Sequence, residues 1–181
     1  MLQTLDLACL RGDRRLFRGL NIAVAPGQLL RVEGANGAGK TSLLRLLAGL
    51  ALPAAGEVHW QGQPIRRQRE TYAQALLYLG HLGGLKDELT PVENLRIECD
   101  LAGTPGVDDA RIRAALDAWG LARQVGLPLR VLSAGQRRRA ALARLQLSDA
   151  VLWVLDEPFN ALDVDAVAFL GRQIEAHLAR G

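Results

Sequence analysis

The 181-residue sequence lacks an apolar run of the roughly 18 residues that a membrane-spanning helix needs. The best candidate, residues 43–52, is interrupted by Arg45 and Gly49. The N-terminus also lacks a basic segment followed by an apolar one, which is the pattern of a secretory signal peptide. The sequence therefore predicts a protein that stays in the cytosol.

Cysteine and lysine are also scarce. Cys9 and Cys99 have neither metal-ligand spacing nor the pattern of a disulfide framework, so we interpret them as free thiols. Lysine occurs only at positions 40 and 86, and the net charge of +3 is too small to indicate a nucleic-acid partner. With 49% hydrophobic and 23% charged residues, the chain has the composition and length of one folded domain.

Short apolar runs alternate with helical periodicities along the chain, which predicts an α/β fold. The sequence predicts strands at residues 28–33, 57–60, 63–65 and 151–155, helices at 41–50 and 107–119, and a last helix marked by Val167, Leu170, Ile174 and Leu178. Five consecutive apolar residues at 151–155 are typical of a strand covered on both faces in a parallel sheet. Residues 88–130 are mostly helical in pattern and indicate an insert in this core.

A glycine-rich segment follows the first predicted core strand and opens a predicted helix. It reads Gly34-Ala35-Asn36-Gly37-Ala38-Gly39-Lys40-Thr41 and matches the phosphate-loop pattern G-x-x-x-x-G-K-[ST] in full. Glycines let backbone N–H groups turn toward phosphate oxygens, and the helix N-terminus adds partial positive charge. Lys40 is then expected to reach the β- and γ-phosphates, while the Thr41 hydroxyl is expected to bind Mg²⁺.

Two acidic residues, Asp156 and Glu157, directly follow the apolar strand at 151–155. A carboxylate at this position holds Mg²⁺ in phosphate-loop NTPases, which is the role expected for Asp156. Glu157 would then be placed to orient or deprotonate the attacking water. On its own, such a pair is more often a solvated loop; its occurrence downstream of a phosphate loop favours the functional interpretation.

A third segment, Leu132-Ser133-Ala134-Gly135-Gln136, precedes another helical pattern. Ser133 and Gln136 have the spacing of a capping box, which by itself explains both residues. However, arginines at 137, 138 and 139 occupy the first turn, where cations oppose the helix dipole. The segment is therefore either a second anion site or a capped helix with a solvated basic face.

These three segments, in this order, resemble the nucleotide-binding subunits of ABC transporters. Residues 34–41 resemble their Walker A motif, residues 132–136 their LSGGQ signature, residues 151–157 their Walker B motif with the catalytic Glu, and residues 160–163 their D-loop. The resemblance implies a RecA-like phosphate-loop NTPase with a mostly parallel core, an N-terminal antiparallel β region and a helical insert. It also implies ATP and Mg²⁺ as ligands, and a head-to-tail dimer with ATP at the interface.

Within this family, residues 11–14, 78–95 and 132–139 resemble the ATP-binding subunits of bacterial cytochrome c biogenesis systems. The expected partners are a second copy of the chain, an integral membrane subunit and haem-handling membrane proteins, with no nucleic acid. The expected place is the cytoplasmic face of the inner membrane. ATP hydrolysis would drive haem export or release of a haem-loaded chaperone. The alternatives are another ABC exporter, a soluble ABC ATPase, or a nucleotide kinase or GTPase.

The resemblance also assigns site residues. The nucleotide would contact residues 34–42, including Ser42, together with Arg11, Ser133, Gly135 and Gln136; the metal would contact Thr41 and Asp156; Glu157 and His81 would be catalytic. Two of these positions depart from the family pattern. Arg11 stands where an aromatic residue usually stacks on adenine, and His81 stands where a Gln usually reaches Mg²⁺ and water. Arg11 is either a stacking or a solvated residue, and His81 is either a ligand or a structural residue.

The pattern after Asp163 gives one helix and no following strand. In the family, the next strand ends in a His that holds the attacking water. The sequence therefore predicts a C-terminally shortened subunit that binds ATP but hydrolyses it slowly. His177 is not expected to replace that residue, because it lies within the helix.

Overall fold

The structure is a computed structural model that describes residues 1–81, 84–104 and 106–181. Its strands are β1 (Leu2–Arg11), β2 (Arg14–Val24), β3 (Ala55–Trp60), β4 (Gln63–Pro64), β5 (Leu76–Leu79) and β6 (Leu152–Leu155), and its α-helices are α1 (Lys40–Leu47), α2 (Arg69–Ala75), α3 (Pro91–Ala102), α4 (Asp109–Ala118), α5 (Ala134–Leu142) and α6 (Val164–Leu178). The chain divides into two compact units. The first comprises Met1–Tyr78, Val151–Val154 and Ala176–Gly181, and the second comprises Leu79–Ala150 and Leu155–Glu175.

The first unit contains an antiparallel sheet with strand order β2-β1-β3-β4. This arrangement confirms the predicted antiparallel N-terminal region and the predicted pair at 57–60 and 63–65. Buried residues of β1 and β3, among them Leu2, Leu7 and Val58, enter one apolar core. Tyr72 closes this core by donating its hydroxyl to the Leu47 carbonyl at 2.5 Å, and burial raises the pKa of its phenol.

Helix α1 packs on this core because its leucines recur with helical spacing. Leu43, Leu46 and Leu47 lie on one buried face. The helix ends at Leu47. Two residues later, Gly49 adopts φ 71° and donates its N–H to the Leu46 carbonyl. The predicted helix at 41–50 is therefore confirmed, with its end three residues earlier.

The predicted strand at 28–33 is wrong. These residues are not in a strand, and Leu29 and Leu30 are 66% and 43% exposed. The physical reason is that no strand of the described chain pairs with this segment, so its backbone groups have no ladder to join. The predicted strand at 151–155 is observed as β6, which pairs with β5.

Two capped helices, α3 and α4, lie where the sequence predicted helical structure. Thr90 and Glu93 form a capping box at the start of α3, and Asp108 caps α4 by accepting from the Arg111 N–H. Ile112 and Leu116, four positions apart on one face of α4, are fully buried. These caps fix helix positions in the second unit.

Helix α6 confirms the predicted last helix, and its buried face departs from the predicted one at Val167. Leu170 is buried and Ile174 and Leu178 are half-buried, whereas Val167 is exposed and Ala166 is buried instead. Near its end the His177 ring stacks on Trp153, with centroids 3.8 Å apart and an interplanar angle of 12°. Burial, assisted by Arg180, lowers the pKa of His177. Within the described ranges, no helix combines the length and apolar content that crossing a membrane requires.

Candidate functional site

The phosphate-loop segment forms an open turn in front of α1. Gly37 and Gly39 have φ angles of 78° and 103°, which glycine adopts at low cost, and residues 34–38 are exposed. Gly39 is also constrained by packing, because a Cβ there would lie 3.2 Å from the Leu16 Cβ. The glycines therefore shape the loop and bring it close to β2.

Lys40 folds back over this loop. Its Nζ donates to the carbonyls of Gly34 and Ala35 at 2.7 and 3.1 Å. An ammonium has three N–H donors, so Lys40 can hold the loop and still donate to an anion. Thr41 is exposed in the first turn of α1, and the next residue, Ser42, is half-buried. Loop, ammonium and helix N-terminus together have the chemistry of a phosphate site.

Asp156 lies directly after β6, where its N–H donates to the Leu79 carbonyl at 2.9 Å. The residue is 2% exposed, and its Oδ2 is buried with no hydrogen-bond partner in the described part of the chain. An unpartnered buried carboxylate oxygen is costly unless a cation neutralises it. The described residues hold no group of three His, Cys, Asp or Glu that could bind a metal. The single Asp156 carboxylate nevertheless fits Mg²⁺, because this ion is usually bound by one or two carboxylates together with phosphate and water oxygens.

Glu157 has an unusual backbone and two side-chain partners. Its φ of 48° is rare for a residue with a Cβ, and such strain occurs most often at functional sites. The Glu157 Oε2 accepts from the Asn160 Nδ2 at 2.6 Å and lies 3.2 Å from the His81 Nδ1. The structure therefore brings together the two predicted catalytic residues. Asn160 was missed, and its only sequence signal was its place in the segment that resembles a D-loop.

The segment Ser133–Gln136 forms the start of α5. Ser133 Oγ accepts from the Gln136 N–H at 3.2 Å, and Gln136 Oε1 accepts from the Ser133 N–H at 2.9 Å, which confirms the predicted capping box. Gly135 lies against the segment after Glu157, since a Cβ at this position would be 2.7 Å from the Ala161 carbonyl oxygen. Steric packing alone therefore requires glycine here.

The three arginines that follow have intramolecular partners. Arg137 pairs with Asp87 at 2.8 Å, and Arg139 donates to the Trp119 carbonyl at 3.4 Å. Arg138 is buried and donates to backbone carbonyls of the segments that carry His81 and Glu157. Burial lowers the pKa of Arg138, although Asp156 and Glu157 oppose this shift. These contacts explain why arginines occupy the first turn of α5, which the helix-dipole rule disfavours.

Comparison with known proteins identifies the family. The model of the ABC transporter family matches residues 17–160. The chain belongs to the ABC transporter family. A cytochrome c biogenesis ATP-binding export protein CcmA of Aromatoleum aromaticum is 58% identical, over 100% of this chain and 85% of that protein. The protein of the same name from Methylococcus capsulatus is 55% identical, over 97% of this chain and 84% of that protein.

Solved ABC structures have the same fold. An ATP-binding protein of a putative ABC transporter from Pyrococcus furiosus is 26% identical with a TM-score of 0.84, and the match covers 99% of this chain and 86% of that one. A dimeric bacterial ABC transporter cassette is 18% identical with a TM-score of 0.87, over 99% and 84% of the two chains. The comparisons confirm the predicted family resemblance, the predicted fold and the predicted ABC ATPase class.

The roles that the sequence assigns to individual residues of this ABC chain remain predictions, and that of Arg11 is one of them. Arg11 is the exposed last residue of β1 and faces Arg14 across a tight turn in which Gly12 has φ 58°. This position allows either stacking on a base or solvation. The sequence also predicts an apolar contact with a membrane subunit at Leu82 and Leu85, which flank two glycines. Leu82 lies outside the described residues, whereas Leu85 is half-buried.

Replacing the ABC signature glycine should affect stability in a way that a matched glycine does not. Gly135→Ala places a Cβ against the Ala161 carbonyl, so we expect a loss of about 1–3 kcal/mol of unfolding free energy. Gly171→Ala, in the middle of α6, meets no atom within 4 Å and should be neutral or stabilise by about 1 kcal/mol. Denaturant unfolding of both variants checks this, and equal stabilities would contradict the packing described for Gly135.

Proposed function

We propose that this chain is the ATP-binding and ATP-hydrolysing subunit of an inner-membrane ABC complex of cytochrome c biogenesis, which exports haem or releases a haem-loaded chaperone. The observation that carries the proposal is the identity of 58% and 55%, over 100% and 97% of the chain, to proteins named for that process. The site geometry supports the enzymatic part of the proposal. Membrane association would be peripheral, through an integral membrane subunit.

ATP binding is assigned to the phosphate loop. The backbone N–H groups of residues 34–42 surround the phosphates, and the Lys40 ammonium donates to the β- and γ-phosphate oxygens. The two carbonyls that Lys40 contacts, those of Gly34 and Ala35, keep its side chain over the loop before nucleotide arrives. Arg11 stacks its guanidinium on the adenine, in the place of the aromatic residue that is usual in the family.

Mg²⁺ is assigned to Thr41 and Asp156. The exposed Thr41 hydroxyl and the unpartnered Asp156 Oδ2 are the oxygen donors that support this role. The metal supplies charge neutralisation for the β- and γ-phosphates. This assignment explains why a buried carboxylate oxygen lacks a hydrogen-bond donor of its own.

Hydrolysis is assigned to Glu157 with His81. Glu157 accepts a proton from the water that attacks the γ-phosphate, and the resulting hydroxide character speeds the attack. Asn160 donates to Glu157 Oε2 at 2.6 Å and leaves Oε1 for the water. His81, whose Nδ1 lies 3.2 Å from the same Oε2, holds this oxygen together with Asn160 and is assigned to the same water.

A second copy of the chain completes the site. The signature residues Ser133, Gly135 and Gln136 of one copy would cover the ATP bound at the phosphate loop of the other, in a head-to-tail dimer. A cassette with the same fold is dimeric, which supports the pairing of two copies. Because Ser133 and Gln136 already cap α5, the start of that helix is rigid before the second copy binds.

The segment at 81–95 is assigned to the membrane subunit. Its described residues 84–95 precede and open α3. The Asn94 side chain fixes residues 86–89 by accepting from the Lys86 N–H at 2.7 Å and donating to the Lys86 and Leu89 carbonyls. The half-buried Leu85 supplies apolar surface within this fixed loop.

A charged substitution at Leu85 should reduce recruitment of the chain to membranes and leave nucleotide binding unchanged. We expect Leu85→Glu to lower the amount of chain recovered with native membranes by about tenfold, because a charge in an apolar contact costs 1–3 kcal/mol or more. Leu127→Glu is the matched control, since Leu127 is an exposed leucine on another loop of the same unit. Membrane sedimentation and ATP binding are measured side by side. Equal recruitment of Leu85→Glu and Leu127→Glu would exclude this surface.

Purification of the tagged chain from native membranes tests the whole assignment. We expect an integral membrane subunit and haem-handling membrane proteins to be recovered with it and identified by mass spectrometry. Recovery of ribosomal or DNA-repair partners instead would support the alternative of a soluble ABC ATPase.

A further inference from the structure

We propose that Arg138 is a positioning residue that sets the mutual geometry of Glu157 and His81 during hydrolysis. The inference rests on the proposed function, in which Glu157 activates the attacking water. It extends that function to a side chain that touches neither nucleotide nor water in the proposed site.

Arg138 joins two segments of the second unit through one guanidinium. Its Nη2 donates to the carbonyls of Asp156 and Glu157, each at 2.8 Å. Its Nη1 lies 3.2 Å from the Gly80 carbonyl and 3.4 Å from that of His81. The residue is 8% exposed, and its Nε reaches the Pro158 carbonyl at 3.4 Å. One side chain therefore donates hydrogen bonds to the backbone of both proposed catalytic residues.

The strongest of these contacts flank the strained residue. Glu157 holds φ at 48°, and a left-handed conformation of this kind persists only where the surroundings enforce it. The Arg138 Nη2 binds the carbonyls immediately before and after this torsion. A planar guanidinium has five N–H donors in a fixed fork, so it can hold several carbonyls at once.

The carboxylate geometry depends on the same backbone. Glu157 Oε2 is 3.2 Å from His81 Nδ1, although the two residues are 76 positions apart in sequence and lie on different loops. Their contact requires the 80–81 segment and the 156–158 segment to keep their spacing, and Arg138 contacts both. Misplacing a reacting group by about 1 Å can cost about 10²-fold in rate.

The test compares Arg138→Gln and Arg138→Lys with Arg144→Gln in the assembled membrane complex. Arg144 is the matched control, because it is a mostly buried arginine that pairs with Glu98 at 2.8 Å and lies outside the proposed site. We expect Arg138→Gln to lower kcat by about 10²-fold while ATP affinity changes less than about twofold. Arg138→Lys, which keeps the charge but not the fork, should have an intermediate kcat. Arg144→Gln should leave both quantities unchanged.

A double-mutant cycle with Glu157→Gln separates positioning from a general loss of stability. If Arg138 acts through Glu157, adding Arg138→Gln to Glu157→Gln should lower kcat no further. Additive losses, or a kcat loss no larger than that of Arg144→Gln, would overturn the inference. If Arg138→Gln does not fold, Arg138→Lys supplies the same comparisons. Wild-type turnover in Glu157→Gln alone would instead refute the proposed role of Glu157.

Discussion

Glu157→Gln should bind ATP with normal affinity and almost stop hydrolysis, with only a small residual rate left to measure. Glutamine keeps the size of the side chain and an oxygen that can accept from Asn160 Nδ2, which is 2.6 Å from Oε2 in the structure. It cannot take a proton from water, and losing a general base costs about 10²–10⁴-fold in rate. ATP turnover and equilibrium nucleotide binding are measured on the same preparation of the complex. Because hydrolysis would be blocked with ATP still bound, we also expect an ATP-dependent dimer to accumulate.

The matched control for this variant is Glu175→Gln, which removes the same charge from the exposed face of α6. It should retain wild-type turnover. Wild-type turnover in Glu157→Gln, with the complex intact, would show that another group deprotonates the water.

Lys40→Ala should abolish ATP binding under conditions that saturate the wild type. The substitution removes the ammonium that donates to the carbonyls of Gly34 and Ala35 and, in the proposed function, to the phosphates. Hydrogen bonds to a charged group contribute about 1.5–3 kcal/mol each, so losing two of them weakens binding by about 10²-fold or more. Titration of a fluorescent ATP analogue or calorimetry measures the change.

Arg45→Ala is the control for Lys40→Ala. It removes one positive charge from the same helix, at an exposed position five residues from Lys40. Nucleotide affinity should change less than about twofold, since an exposed charge contributes little through water and salt. Equal effects of the two substitutions would mean that helix charge, rather than the placed ammonium, attracts the nucleotide.

The sequence predicted best those features that local chemistry controls. The phosphate loop, the cap at Ser133, the helical segment at 107–119 and the strand at 151–155 all follow from short-range rules, and all are observed. Spacing in the chain could not reveal that His81 meets Glu157, because that contact depends on how distant segments pack.

Two other features show why local patterns were insufficient. Residues 28–33 have the apolar composition of a strand, but a strand also needs neighbours for its backbone hydrogen bonds, and the described chain provides none. Arginines in the first turn of α5 contradict the helix-dipole rule. The clearest reason is that of Arg138, which binds the Gly80 and Asp156 carbonyls from 58 and 18 residues away, and no local rule can anticipate those contacts.

The most direct measurement of the central claim is cytochrome maturation in the source organism after removal of its chromosomal copy. Plasmids supply the wild-type chain, Lys40→Ala or Glu157→Gln at equal levels, and haem staining quantifies the c-type cytochromes. We expect the wild-type chain to restore them and both variants to fail, because the first would not bind ATP and the second would not hydrolyse it. Restoration of c-type cytochromes by both variants would contradict the claim that ATP hydrolysis at this site drives the process.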